Sequence, residues 1–327
     1  MQYRSVKGFT GWGQLGILLA FLGAGFVITG IIQYAIGLPL VPKGTPTEKI
    51  PEVMIDAMLK PENVSLARLN QVLSTFCLFF LPSVAYMLIC HGKNKFWLGF
   101  NKHINAGQII LGFFLIFLAN VIANPLAELS KEFLTRFPDL NALAMRMETQ
   151  YTEQITAISN LKSWGEFFMA ILIMAFFAAL FEEILFRGAI QTLLERWWKM
   201  PLLAVLVSSI LFSLIHMSLY LFLSRVVLGF VLGLMYQRSK NLWVNIIAHF
   251  LNNTVAVIQL FWISRHTQKV ELDKMDPTIP WWGTAVALGI TVGLFLLFEK
   301  VSSRSRKQIA FEEQDLLEHS ANFHSEQ

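Results

Sequence analysis

Apolar residues do not alternate with polar ones along this chain. They run in blocks of about 20 residues, the length a helix needs to cross the ~30 Å hydrocarbon core of a bilayer. Eight blocks stand out, near 12–36, 70–91, 106–126, 166–195, 201–220, 222–236, 242–264 and 280–298, the sixth being the shortest and weakest. The fold class they predict is all-α, a polytopic transmembrane bundle of about eight spans in a single domain over residues 1–300. The polar stretch 301–327 reads as a poorly ordered tail. Between blocks, "PEVMIDAMLK" (51–60) and "DLNALAMRMETQYTEQITAISNL" (139–161) carry helical apolar spacing with polar faces. They predict amphipathic helices, lying at the outer membrane interface or against the bundle ends.

Composition agrees with this pattern. Of the 327 residues 55% are hydrophobic and only 15% charged, with a mean hydropathy of +0.53, whereas a soluble domain carries about a quarter charged residues. The first block is longer than the usual signal-peptide core of about 7–15 residues and precedes no clear small-x-small cleavage site, so it reads as a retained helix. Cys77 and Cys90 offer neither a disulfide framework nor a metal spacing. A pI near 9.0 would suggest nucleic-acid binding only if the cations clustered on a soluble face; here they sit in loops, which excludes that partner class. The short connections are basic (Lys93, Lys95, Lys102; Arg196, Lys199; Arg238, Lys240), whereas the longer ones at 37–69, 127–165 and 265–279 are charge-balanced. Eight spans and basic cytoplasmic loops predict a multi-pass protein of the cell membrane with both termini in the cytoplasm.

Ionisable residues inside the blocks each need a reason, because a mid-membrane charge is penalised by about 2.5–3.5 kcal/mol on insertion scales. They are Glu182, Glu183, Arg187, His216, Arg225 and His249. Arg225 lies near the expected outer end of its block, from where it can snorkel to the interface. Glu183 and Arg187 share a helical face in the favourable i,i+4 order, so mutual neutralisation explains them well. Glu182 projects about 100° away, with no partner on its own helix, and suits proton transfer better than packing. "LFSLIHMS" puts Phe212 and His216 on one face; taken singly, the phenylalanine reads as core and the histidine as hydrogen-bonded packing. "NIIAHFLNN" aligns Asn245, His249 and Asn253, a stripe that could equally glue helices together. Jointly, two carboxylates, two histidines and an asparagine on three helices exceed what glue requires.

Glu182, His216, His249 and Asn253 together make an inventory for peptide hydrolysis. A carboxylate can take a proton from water that a histidine orients, while a second histidine and an amide donate to the oxyanion. Neither His-Glu-x-x-His nor Gly-x-Ser-x-Gly occurs. The ordered set Glu182-Glu183-x-x-x-Arg187, Phe212-x-x-x-His216 and His249-x-x-x-Asn253 resembles the three motifs of the CAAX-protease and bacteriocin-processing (CPBP, or Abi) family of intramembrane proteases. The resemblance covers about residues 165–260. It implies Glu182 as catalytic base, His216 as its helper on water, and His249 with Asn253 at the oxyanion. Glu183 and Arg187, with Phe212 beside them, would organise an intramembrane cavity.

The implied partners are a peptide or membrane-anchored protein substrate and the lipid bilayer. Members of the family have been described as metal-dependent and as metal-free. Zinc would take Glu182, His216 and His249, leaving one position for water. The spacing favours the metal-free arrangement, because His249 and Asn253 sit one turn apart on one face, as two donors to one oxygen should. No metal is therefore assigned. Two rival functions predict different behaviour: a proton- or ion-coupled transporter needs no Asn253, and a non-catalytic scaffold keeps substrate binding without Glu182.

Overall fold

The computed structural model describes residues 3–159, 161–266 and 279–325, so much of the expected outer loop 265–279 lies outside the described residues. Ten helices form the described chain: α1 (Gly11–Gly37), α2 (Ile50–Met58), α3 (Pro61–Cys90), α4 (Ala106–Thr135), α5 (Pro138–Ile158), α6 (Trp164–Trp198), α7 (Pro201–Leu214), α8 (Phe222–Ser239), α9 (Leu242–His266) and α10 (Trp281–Ser325). Each of the eight predicted blocks coincides with a helix. Six of those helices (α1, α3, α4, α6, α9 and α10) are long and apolar enough to cross a membrane by length and composition. α7 falls short: its 14 residues make a helix of about 21 Å at 1.5 Å per residue. The two predicted amphipathic segments are helices α2 and α5.

Local chemistry sets several boundaries. Thr10 caps α1 by accepting from Gly13 N–H, and Asn105 opens α4 in a reciprocal capping box with Gln108. Ser163 and Glu166 make the same box at the start of α6, satisfying backbone donors that a helix start leaves unpaired. α5 is held at its C-terminal end from α3: buried Arg68 donates through Nε and Nη2 to the Ile158 carbonyl, at 3.1 and 2.9 Å.

Helix α6 is central. It widens into π turns over Ile171–Phe177 and Ile184–Gln191, leaving one regular α turn, Ala178–Glu183, between them. Such wide turns recur at functional sites. An aromatic core of Phe79, Phe181, Phe186 and Phe212 ties α3, α6 and α7 together. α6 also bonds α8 by a two-rung ladder, Arg187 Nη2 to the Gly229 carbonyl (3.0 Å) and Gln191 Nε2 to the Gly233 carbonyl (2.9 Å). The Gly-x-x-x-Gly pair lets α8 pack closely on α7 as well: a β-carbon at Gly229 would stand 3.2 Å from the Ser209 backbone and from the Phe212 ring, the small-residue rule of membrane helix packing.

The expected poorly ordered tail is instead the continuation of α10. Ile309 is buried in the core that includes Phe96 and Trp97, and Leu316 packs against it. Two acids of this segment pair with basic side chains elsewhere in the bundle, Glu313 at 2.9 Å from Arg196 and Glu312 at 3.2 Å from His103. Two apolar residues seven apart are a weak pattern in a polar sequence, yet with ion pairs on the adjoining faces they dock the helix. His91 is stacked on Trp97 with its Nε2 3.4 Å from Tyr86 Oη, and burial, helped by the Arg196 charge, pushes it down to about 3.

Close packing at Gly229 has a direct consequence. Gly229→Ala should destabilise the purified protein by about 1–3 kcal/mol through overpacking, whereas Gly16→Ala, where an added β-carbon meets open space, should be neutral or stabilising by up to about 1 kcal/mol. Thermal unfolding of both variants in detergent checks the contrast.

Candidate active site

The two adjacent acids have different surroundings. Glu183 is completely buried and Arg187 is 1% exposed. Glu183 Oε1 accepts from Arg187 Nη1 at 2.9 Å, and Arg187 continues to the Gly229 carbonyl. The guanidinium also lies 4.9 Å from the Phe212 ring centroid, within cation–π range. From α9, Asn245 Nδ2 donates to Glu183 Oε2 at 3.3 Å and to the Leu232 carbonyl at 2.7 Å. His249 Nδ1 meets Glu183 Oε1 at 2.9 Å. One carboxylate thus binds helices α6, α8 and α9 together.

Glu182 is the accessible acid. Its side chain is 13% exposed, against zero for Glu183, and its Oε2 lies 3.9 Å from His249 Nε2. The neighbouring glutamates therefore face the two nitrogens of one imidazole. His216 follows the end of α7, its Nδ1 at 2.7 Å from the Phe212 carbonyl, and Phe212 lies between the two histidine rings, 4.8 Å from His216 and 6.2 Å from His249.

Hydrogen bonding assigns the ring protons. A carbonyl only accepts, so His216 donates through Nδ1 and, when neutral, leaves Nε2 bare. A carboxylate paired to Arg187 likewise only accepts, so His249 donates through Nδ1 and its Nε2 faces Glu182. Asn253 lies one turn beyond His249 on α9, partly buried. Its neighbour Asn252 is engaged elsewhere, accepting from Asn120 at 2.6 Å.

Two participants escaped the sequence reading. Asn245, in the sequence one member of a polar stripe, bonds Glu183. Arg225, expected to snorkel, is 8% exposed and donates to the His216 carbonyl at 3.3 Å. For zinc, the donor chemistry is suitable, with two bare Nε2 atoms and a carboxylate. The convergence is not: among the described residues, no three His, Cys, Asp or Glu side chains gather as a metal-holding group.

Residues 164–255, which contain all three motifs, match the family model described as "Type II CAAX prenyl endopeptidase Rce1-like". Over this segment the chain is similar to the Rce1-like family. The Rce1-like segment comprises α6, α7, α8 and most of α9, the four elements around Glu182. Two Bacillus subtilis (strain 168) proteins are similar to the chain. "Putative membrane peptidase YdiL" is 33% identical over 90 residues, 28% of this chain and 36% of that protein. "Uncharacterized protein YpbD" is 32% identical over 110 residues, 32% of this chain and 51% of that protein. The matches thus span about a third and about half the length of these relatives. No solved structure matches the chain.

The geometry separates the two acids in stability. Glu183→Gln should lower stability by about 3–5 kcal/mol, the cost of leaving a buried charge such as Arg187 without its partner. Glu182→Gln, partly exposed and outside that pair, should cost less than about 1 kcal/mol. Thermal unfolding in detergent ranks them, and the reverse order would exchange the roles assigned to the two residues.

Proposed function

We propose that the protein is an intramembrane endopeptidase that hydrolyses a peptide bond with water activated at Glu182 and His216. The observation that carries this reading is the divergence of the adjacent acids: Glu183 is locked into a buried ion pair, while Glu182 is accessible and faces a histidine. A peptide or membrane-anchored protein is the substrate, and the protein lies in the cell membrane with both termini cytoplasmic.

In the proposed reaction, water sits between Glu182 and the bare Nε2 of His216. Glu182 takes one proton as the water oxygen attacks the scissile carbonyl carbon, and the carbonyl electrons move onto oxygen. His249 and Asn253 donate to that oxyanion. With Nδ1–H committed to Glu183, a proton on Nε2 makes His249 an imidazolium, and Glu183 supplies its counter-charge. The tetrahedral intermediate then collapses, the C–N bond breaks, and the proton held by Glu182 passes to the leaving nitrogen. The products are a carboxylic acid and an amine, and the acid's proton, the second from water, passes to the amine to leave carboxylate and ammonium. Arg187 and Phe212 hold Glu183 and the two imidazoles in register.

Were zinc bound, Glu182, His216 and His249 would be its ligands and it would supply Lewis-acid polarisation of water. No step above depends on it.

Purified protein should cleave reporter peptides bearing a C-terminal CAAX sequence, tested with and without an isoprenyl group. Glu182→Gln should reduce cleavage roughly 100- to 10,000-fold, the range for loss of a general base, in a protein that remains folded. The same preparation, stripped with a strong chelator and analysed for metal, should keep its activity. Activity lost with stoichiometric zinc and restored by it would replace the metal-free mechanism. Wild-type levels of cleavage by Glu182→Gln would remove Glu182 from the chemistry altogether.

A further inference from the structure

His216 is partly buried and sits where a helix has ended and the chain turns away. The amides of Ile215, His216 and Met217 bond back to the carbonyls of Leu211, Ser213 and Leu214 at 3.2–3.3 Å, tightening the end of α7. Met217 then adopts a left-handed conformation, φ +51°, uncommon for a residue with a side chain. A helix end leaves its last carbonyls unpaired and carries partial negative charge. The His216 carbonyl lies just beyond that end, and Arg225 of α8 supplies its donor, at 3.3 Å.

Arg225 is itself held from outside the Rce1-like segment. Its guanidinium stacks 4.7 Å from the centroid of the Tyr151 ring on α5. α5 keeps its place over the α7–α8 connection through two more polar contacts, Ser218 Oγ to Glu148 Oε2 (2.6 Å) and Tyr220 Oη to Asn141 Oδ1 (2.7 Å). Snorkelling does not describe a guanidinium that is 8% exposed, capping a helix end and covered by an aromatic face.

We infer that Arg225 is a positioning residue for His216, held in its own place by Tyr151. The inference rests on the peptidase reading for what His216 does, but its geometric content is independent of it. The His216 ring is oriented by the Phe212 carbonyl of its own helix, so any shift of the α7 end moves Nε2 with it. Arg225 fixes that end. Displacements near 1 Å at a reacting group can cost about 100-fold in rate, so the effect belongs in kcat rather than in substrate binding.

The test uses the full chain, purified in detergent and checked for folding by thermal unfolding. Arg225→Gln should lower kcat about 10- to 100-fold with KM changed less than about twofold. Arg225→Lys should recover part of the loss, since an ammonium still donates to a carbonyl. Tyr151→Phe, which keeps the ring, should match wild type; Tyr151→Leu should lower kcat, and adding it to Arg225→Gln should lower kcat no further. Independently of activity, carbethoxylation of His216 by diethyl pyrocarbonate, followed by mass spectrometry, should be faster in Arg225→Gln and Tyr151→Leu than in wild type. Should Arg225→Gln not fold, Tyr151→Leu carries both readouts. Unchanged kcat and unchanged His216 modification in these variants would overturn the inference, as would a strictly additive double variant. A wild-type protein without peptidase activity would instead overturn the peptidase reading, and the modification rates would still decide the role of Arg225.

Discussion

A fully buried ion pair between Glu183 and Arg187 constrains everything around it. Neither group reaches water, and a buried charge left alone costs several kcal/mol, so the pair calls on protein for its polar partners, with only Arg187 Nε left unmet. That demand recruits α8 through the Gly229 carbonyl and α9 through Asn245 and His249. The glycine whose carbonyl Arg187 reaches also lies tight against Ser209 and Phe212 of α7, where a side chain would be crowded. The pair adds little net stability as electrostatics alone. Its contribution is specificity of packing, since helix positions that break the network leave charges stranded.

The same constraint distinguishes two adjacent, chemically identical residues. Glu183 has every role filled by the network. Glu182, one residue earlier and one step around the helix, is outside it, partly accessible, and faces the second nitrogen of the histidine that Glu183 holds. His249 is thereby oriented by one acid and presented to the other. In the peptidase reading, this division converts a structural ion pair into a device that fixes the histidine proton at Nδ1 and aims Nε2 at the reacting region. Arg225 extends the logic to the second histidine, with backbone rather than ring as the point of attachment.

Much of this was legible in the chain itself. Blocks of apolar residues located the eight main helices, and i,i+4 spacing identified Glu183–Arg187 before any tertiary contact was known. Relations between helices were not legible. Nothing in linear spacing says that His249 lies between Glu182 and Glu183, or that Asn245 rather than a more distant asparagine completes the Glu183 site. Arg225 was misread because nearness to the end of an apolar block does not reveal whether another helix covers it; α5 does. The tail was misread because Ile309 and Leu316 are sparse anchors, and their docking depends on acids meeting Arg196 and His103 from distant parts of the chain. Length deceived in the other direction at α7, where an apolar run continues past the point at which the helix stops.

The division of labour between the adjacent acids is the centre of this account, and their relative accessibility tests it most directly. Membranes containing the protein can be treated with a hydrophobic carbodiimide, and the modified carboxyls located by mass spectrometry after digestion. The account predicts adducts at Glu182, appearing in step with loss of peptidase activity, and protection of Glu183 for as long as the protein remains folded. Modification of Glu183 in the folded protein, with Glu182 spared, would contradict it.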